Sequence, residues 1–455
     1  MGYRGKPILA AAAVAILFVL SPAARSESLT DALISAYKHS GLLEQNRALL
    51  RAADEDVAQA VATLRPVLNY FANAALSNPV PPGQDHLSAN AGLSASLLLF
   101  DGGNSKLAID AAKETVLATR EGLINIEQSV LLRAVTAYMN VRRDNEFVAL
   151  RQNNVRVIAE QLRAAKDRFE VGEVTRTDVS LAESRLALAR ANLAAAQGNL
   201  ARSREEYRVA VGRYPGALKG VPKAPATAKS LDSARAISYS THPLMRKIQH
   251  DVTVAELGIA RANALMNPNL SLTGRLSFDQ DGDDSSSVGL EFGGPIYQGG
   301  KLSSLYRQAV ARRDAARAGL HITRHDVAQG VGNAWASLAV SRATLEATER
   351  QIRAARVAFR GVKEEATLGA RTTLDVLDAE QELLDAQANK ISAVTDQYIA
   401  TYSLLSAMGL LTVEHLKLGI RTYDPAAYYN AVRSAPADST QGKRLDRVLR
   451  ALGKE

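Results

Sequence analysis

Four short segments of the chain alternate apolar and polar residues with a period of two. In LSANAGLSASLLL the apolar set is Leu87, Ala89, Ala91, Leu93, Ala95, Leu97 and Leu99, with Ser88, Asn90, Gly92, Ser94 and Ser96 between. NLSLTGRLSF alternates Leu270, Leu272, Leu276 and Phe278 with Asn269, Ser271, Thr273, Arg275 and Ser277. SVGLEFGGPI sets Val288, Leu290, Phe292 and Ile296 against Ser287, Gly289, Glu291 and Gly293. PVLNYFANAAL is noisier, with Leu68, Tyr70 and Leu76 on one face and Asn69 and Asn73 on the other. Alternation of this kind predicts strands with one apolar and one polar face, at about 66–78, 87–99, 268–279 and 286–296.

The rest of the pattern is helical. Helical stretches over Leu29–Leu64 and Leu231–Met266 each run up to a proline, Pro66 and Pro268, which cannot continue them. After the strands come two long runs with almost no Gly or Pro, each followed by a turn and a further helix. In the two last helices Val179, Leu186, Leu193, Leu200 and Tyr207, and then Leu377, Leu384, Ile391, Tyr398 and Leu405, recur every seventh position. That is coiled-coil spacing, and a solvated helical hairpin with an apolar seam accounts for it without any cofactor.

These elements occur twice in the same order. Leu29–Leu68 matches Leu231–Leu270 without a gap, pairing Ala32 with Ala234, Tyr37 with Tyr239 and Pro66 with Pro268. Further on, Phe100-Asp-Gly-Gly103 matches Tyr297-Gln-Gly-Gly300, and Gly172, Asp178 and Gly212 match Gly369, Asp375 and Gly409. The first copy carries extra residues around PVPPGQDH, as expected of a loop. The duplication divides the chain into a leader at 1–26, a first repeat at 27–212 and a Pro/Gly/Lys-rich linker at 213–230. A second repeat at 231–409 and a tail at 410–455 complete it.

Composition narrows the classes. The chain has no cysteine, which excludes disulfides, thiolate metal sites and Cys nucleophiles. MGYRGK, the apolar run Pro7–Leu20 and Ala24-Arg25-Ser26 form a secretory leader with its cleavage pattern, so export is expected. The net charge of +8 is scattered, with no basic stripe interleaved with aromatics, so nucleic acid is not an expected partner. Strands of about ten residues are also long enough to cross a bilayer when tilted. Small polar residues on one face and apolar ones on the other fit a water-filled membrane barrel, although a half-buried hairpin in a soluble sheet shows the same alternation. Two hairpins cannot close a barrel, and lipid does not tolerate open edges, so membrane strands here would have to be pooled by several chains. Three chains would supply twelve.

Two turns attract attention as candidate sites. VGEVTRTDVSLAES and LGARTTLDVLDAEQ are duplicates in which Thr175-x-x-Asp178 and Thr372-x-x-Asp375 read as capping arrangements. Capping alone accounts for Asp178 and Asp375. It does not account for Asp378, where the first copy has Leu181, nor for Arg371, where the first copy has Val174.

On these residues the chain resembles the TolC-type outer-membrane factors, the exit ducts of efflux pumps and type I secretion systems. The resemblance rests on Leu29-Thr-Asp-Ala-Leu33, the FDGG and YQGG helix starts and GARTTLDVLDAEQEL, and it spans essentially the whole mature chain. Tyr423-Asp-Pro425 further resembles the type I secretion branch. The resemblance implies a mixed α and β fold: a homotrimer whose helical hairpins form a periplasmic α-barrel and whose four strands per chain form a twelve-stranded β-barrel in outer-membrane lipid. It implies a periplasmic adaptor (membrane fusion) protein and an inner-membrane ABC or proton-driven transporter as partners, and no chemistry of its own.

The same resemblance implies roles for the turn residues. Asp375 and Asp378 would line the closed periplasmic aperture as stacked carboxylate rings that attract cations. Arg371 and Asp178 would latch neighbouring hairpins. The family's tyrosine in that latch falls at Ala366, which removes one tie. The tips Val171, Gly172, Glu173 and Val174, and Leu368, Gly369 and Ala370, would meet the adaptor, while their glycines also serve a plain helix–helix turn.

Other signals lead nowhere specific. His321 and His325 are one helical turn apart but lack the Glu of a zincin motif and any third ligand. Asp279–Asp284 imitates a calcium loop, yet Leu290 stands where its final Glu is needed; a hairpin tip at the cell surface is expected. Trp335 is expected in helix packing. No metal, cofactor or catalytic set is expected. The alternative function is a pore-less periplasmic coiled-coil adaptor or scaffold, which would not carry duplicated amphipathic hairpins between its helices.

Overall fold

A computed structural model describes residues 26–76, 78–79, 86–220, 222–436, 443–444 and 447. The expected leader, apart from Ser26, and most of the loop around PVPPGQDH lie outside these residues. Each repeat begins with a broken helix. In the first, α1 (Leu29–His39) and α2 (Gly41–Ala62) meet at Ser40, whose hydroxyl accepts from the Leu43 N–H and restarts the helix. In the second, α5 (Leu231–Thr241) and α6 (Pro243–Ala264) meet at His242, because Pro243 offers no N–H and suits a first helical position. The single helices expected at Leu29–Leu64 and Leu231–Met266 are therefore helix pairs.

Two antiparallel hairpins follow the two pairs: β1 (Val67–Leu76) with β2 (Leu87–Phe100), and β3 (Asn269–Asp279) with β4 (Asp284–Gly293). They join into one four-stranded sheet in the order β1-β2-β3-β4, antiparallel throughout, with β1 and β4 as open edges. Strand β4 ends at Gly293, short of the expected 296. A Cβ on Gly294 would sit 2.8 Å from Pro268, so the backbones close tightly there and proline cannot extend the ladder. A register shift between Leu98 and Phe100 interrupts the alternation at the end of β2.

The register turns the alternation into two faces. Tyr70, Leu93 and Leu276 form one row, and Leu97, Leu272 and Leu290 form another, all on the apolar face. Asn69, Ser94, Arg275 and Ser287 form a row on the opposite face. The polar face satisfies itself: Asn73 donates to Asn90 at 3.2 Å, and the Ser277 and Ser285 hydroxyls lie 2.8 Å apart. Phe71 lies on this face beneath the Arg275 guanidinium, 4.0 Å from its ring centre. Gly92 is what makes room, since a Cβ there would meet the Leu276 carbonyl oxygen at 2.0 Å. The apolar face is bare: Leu68, Tyr70, Leu76, Val288, Leu290 and Phe292 are all at least two-thirds exposed. A contiguous apolar surface of this kind does not suit water.

From each hairpin the chain enters a very long helix through a pair of left-handed glycines: α3 (Asn104–Glu170) and α7 (Lys301–Thr367), each of 67 residues. At the helical rise each is about 100 Å long. They turn back into α4 (Arg176–Val211) and α8 (Thr373–Ala407). The heptad positions Val179, Leu186, Tyr207, Leu377, Leu384 and Leu405 are buried, so the seven-residue repeat is the seam of the two hairpins.

The main core sits midway, where α1, α3, α4, α8 and the segment after Leu410 meet around Leu131, Tyr138, Tyr207 and Leu405. The linker is pinned beside it. Glu27 forms an isolated parallel backbone bridge with Leu218 and pairs with Arg213 at 2.6 Å, while the Tyr138 hydroxyl donates to Lys219 O at 2.8 Å. Trp335 packs in a neighbouring cluster with Val331, Leu338 and Leu404. Helix α9 (Pro425–Val432), capped by Asp424, closes the tail against α2.

Candidate functional site

The two hairpin tips are built by one local design. Helix α3 ends as Gly172 takes φ +80°, letting the Glu173 N–H reach the Arg168 carbonyl at 2.9 Å. Helix α7 ends as Gly369 takes φ +78° and the Ala370 N–H reaches the Glu365 carbonyl at 2.9 Å. This is a left-handed C-terminal cap, and it requires glycine because a Cβ is strained at positive φ. Val171 and Leu368 are left 71% and 85% exposed, apolar side chains at the extreme ends of the hairpins.

The next helices start from reciprocal capping boxes. Thr175 Oγ1 accepts from the Asp178 N–H at 3.3 Å, while Asp178 Oδ2 accepts from the Thr175 N–H at 2.9 Å. Thr372 and Asp375 repeat this at 3.2 and 2.9 Å. The Thr175 hydrogen bonds hold the Asp178 carboxyl below its usual range, and the Thr372 bonds do the same for Asp375. Both acids therefore stay ionised well into acid conditions.

The remaining expected site residues take different partners. Arg371 Nε donates to Glu365 at 2.9 Å on its own tip, which raises the guanidinium pKa further. Arg371 and Asp178 line one cleft between the tips, together with Glu173, Val174, Thr372 and Gly369, but no ion pair joins them within the chain. Asp378 pairs with Arg185 of α4 at 2.7 Å. Two turns along α8, Glu380 is buried and accepts from the Gln161 amide of α3. Desolvation raises its carboxyl pKa, with Gln161 and Lys363 opposing. Between these polar contacts Leu377 packs on Ile158 and Leu186, with Val155, Leu162 and Leu181 around them.

Arg185, Gln161 and Glu380 were not among the expected residues. The duplication contained a usable signal. Arg185 corresponds to Glu382, so the copies differ in charge sign at that position.

Elsewhere, His321 and His325 are exposed, and no group of three metal-ligating side chains occurs among the described residues. Asp279 is spent on its own turn, accepting from the Asp281 and Asp283 N–H groups at 3.0 and 2.9 Å.

No helix among the described residues is long and apolar enough to cross a membrane, which leaves the bare apolar face of the sheet as the surface suited to lipid. Long helical hairpins, a water-compatible polar sheet face and an apolar outer face define a channel-forming outer-membrane protein. The model of the outer membrane efflux protein family matches residues 33–213 and 238–410, one stretch in each repeat, and the chain belongs to that family. It is 35% identical over 437 residues to the outer membrane efflux protein BepC of Brucella suis, covering 94% of this chain and 95% of the relative. It is 26% identical to the outer membrane protein TolC of Vibrio cholerae, covering 88% of this chain and 94% of the relative. Among solved structures, the Campylobacter jejuni CmeC outer membrane channel superposes with a TM-score of 0.75 at 17% identity, covering 90% of each chain. The protein is an outer-membrane efflux channel with a long helical extension, and the family is one of transport proteins rather than enzymes.

Proposed function

We propose that three copies of this chain form one exit duct, gated at the hairpin tips and joined there to a periplasmic adaptor and an inner-membrane transporter. The single observation that carries the trimer is the open sheet. Its four strands leave both edges unpaired and one face apolar, and lipid requires every backbone polar group to be paired. Pairing the β4 edge of one protomer with the β1 edge of the next closes a barrel. Three protomers supply twelve strands, with the row Asn69, Ser94, Arg275 and Ser287 facing the bore.

At the other end, Asp375 and Asp378 lie one turn apart on α8 and form carboxylate rings around the aperture. Arg371 reaches Asp178 of the neighbouring protomer as an inter-protomer latch, exchanging its local partner Glu365. The exposed Val171 and Leu368 and the tip residues beside them dock the adaptor. The outer-membrane lipid, the adaptor and an ABC or proton-driven transporter complete the set of partners; cargo, whether drug or protein, passes through the bore without a binding site.

The test is electrical. Bilayer recordings of the purified protein should show polyvalent-cation block that is lost in Asp375→Ala/Asp378→Ala; unchanged block would remove the rings from the account.

A further inference from the structure

The duplication provides an internal control for the contacts between the two hairpins. In the first copy Lys166 of α3 pairs with Glu183 of α4 at 2.9 Å, a tie within one hairpin. The corresponding residues of the second copy are Lys363 of α7 and Glu380 of α8. Glu380 does not repeat that tie. It is buried and accepts from Gln161 of the other hairpin, with Lys363 acting only through its charge. Two residues nearer the tip on α8, Asp378 stands where the first copy has Leu181, and on α4 Arg185 stands where the second copy has Glu382; these two non-duplicated residues are the pair joined at 2.7 Å. Beside Asp378, Leu377 packs on Ile158 and Leu186. In this stretch the non-duplicated Arg185–Asp378 pair and the Gln161–Glu380 hydrogen bond thus tie one hairpin to the other.

We propose that Arg185 is a gate-positioning residue, clasping the two hairpins of a single protomer through Asp378 just above the tip, so that this clasp must part before the aperture widens. The proposal rests on the reading of the tips as the gate. It differs from the inter-protomer latch in two ways. The tie lies inside one protomer, and it engages Asp378 while the tip is closed, so the Arg185 cation partly offsets the field of the Asp378 carboxylate until the hairpins separate. The surroundings suit a releasable tie. Asp378 is 58% exposed and Arg185 30%, so the pair breaks into water at little cost, while the buried Leu377 and Glu380 keep the register to which it returns.

The chain contains no cysteine, which allows a direct test. Arg185→Cys/Asp378→Cys is joined with a short bifunctional thiol reagent carrying a reducible link, in channels first shown to conduct. A cross-link recovered within one polypeptide, with a fall in conductance that reductant reverses, is the expected result. Dimers or trimers on a denaturing gel, or no cross-link at all, would overturn the clasp. So would an intra-protomer cross-link that leaves conductance unaltered. As a second readout, Arg185→Ala should raise open-state occupancy about two- to fivefold, the range for losing an exposed ion pair, and Arg185→Lys should restore it; equal occupancy in all three proteins would also overturn it. Failure of the duct reading is distinct, because then the unmodified protein would not conduct.

Discussion

Asp54 is the acid whose environment is most costly, and its neutralisation makes a quantitative prediction. It lies on α2 beside the apolar patch of Leu50, Val57 and Val116, wholly buried, and neither carboxylate oxygen has a hydrogen-bond partner in the protein. The same patch receives the tail: Tyr423 and Tyr429 pack into it, Arg120 stacks on Tyr429, and the Tyr428 hydroxyl donates to Glu55 at 2.6 Å. Burial pushes the Asp54 carboxyl from 3.8 up to about 6, with Arg120 opposing and Glu55 adding to the rise. Because the folded value lies above the unfolded one, the protonated acid favours folding. That contribution is fully present below about pH 4 and is lost as pH rises through about 6. A shift of about two units corresponds to roughly 3 kcal/mol per protomer, of which about half is lost between pH 5 and pH 8. Asp54→Asn removes the titrating group. Thermal unfolding of the detergent-solubilised protein at the two pH values should show a larger drop for the parent chain than for the variant. An identical drop in both would refute the assignment of a raised Asp54 pKa.

Three other outcomes are expected. Gly92→Ala forces a Cβ against the Leu276 carbonyl and the Phe71 ring, so by the usual cost of overpacking it should lose about 1–3 kcal/mol and lower the yield of assembled protein in outer-membrane fractions. Thr372→Ala removes half of a capping box, costing about 1 kcal/mol, and releases Asp375 toward the ordinary carboxyl pKa, so cation block should weaken at a higher pH than in the parent. Arg371→Ala should raise single-channel conductance if Arg371 latches a neighbour; unchanged conductance would confine it to its bond with Glu365.

Much of this architecture was legible because it rests on periodicities that local chemistry enforces. Alternation marked the strands, the seven-residue repeat marked the seam at Val179, Leu186, Leu377 and Leu384, and Thr-x-x-Asp marked the helix starts. The breaks at Ser40 and His242 were missed because a cap inside an amphipathic stretch interrupts the backbone without interrupting the hydrophobic pattern. The bulge after Leu98 and the early end of β4 depend on cross-strand neighbours, which no single segment specifies. The partners of Asp378 and Glu380 depend on how one hairpin lies against the other. Only the mismatch between duplicated positions hinted at them, in residues such as Arg185 that look like ordinary solvated charges on a helix.

The central claim is that several chains close one water-filled pore whose entrance is lined by α8 acids. Planar-bilayer recording of the purified, mass-determined complex tests it most directly. The account predicts discrete, cation-selective conductance steps from a particle containing three chains, blocked by polyvalent cations from the tip side. A conducting particle of another stoichiometry, or a three-chain particle that carries no current, would contradict it.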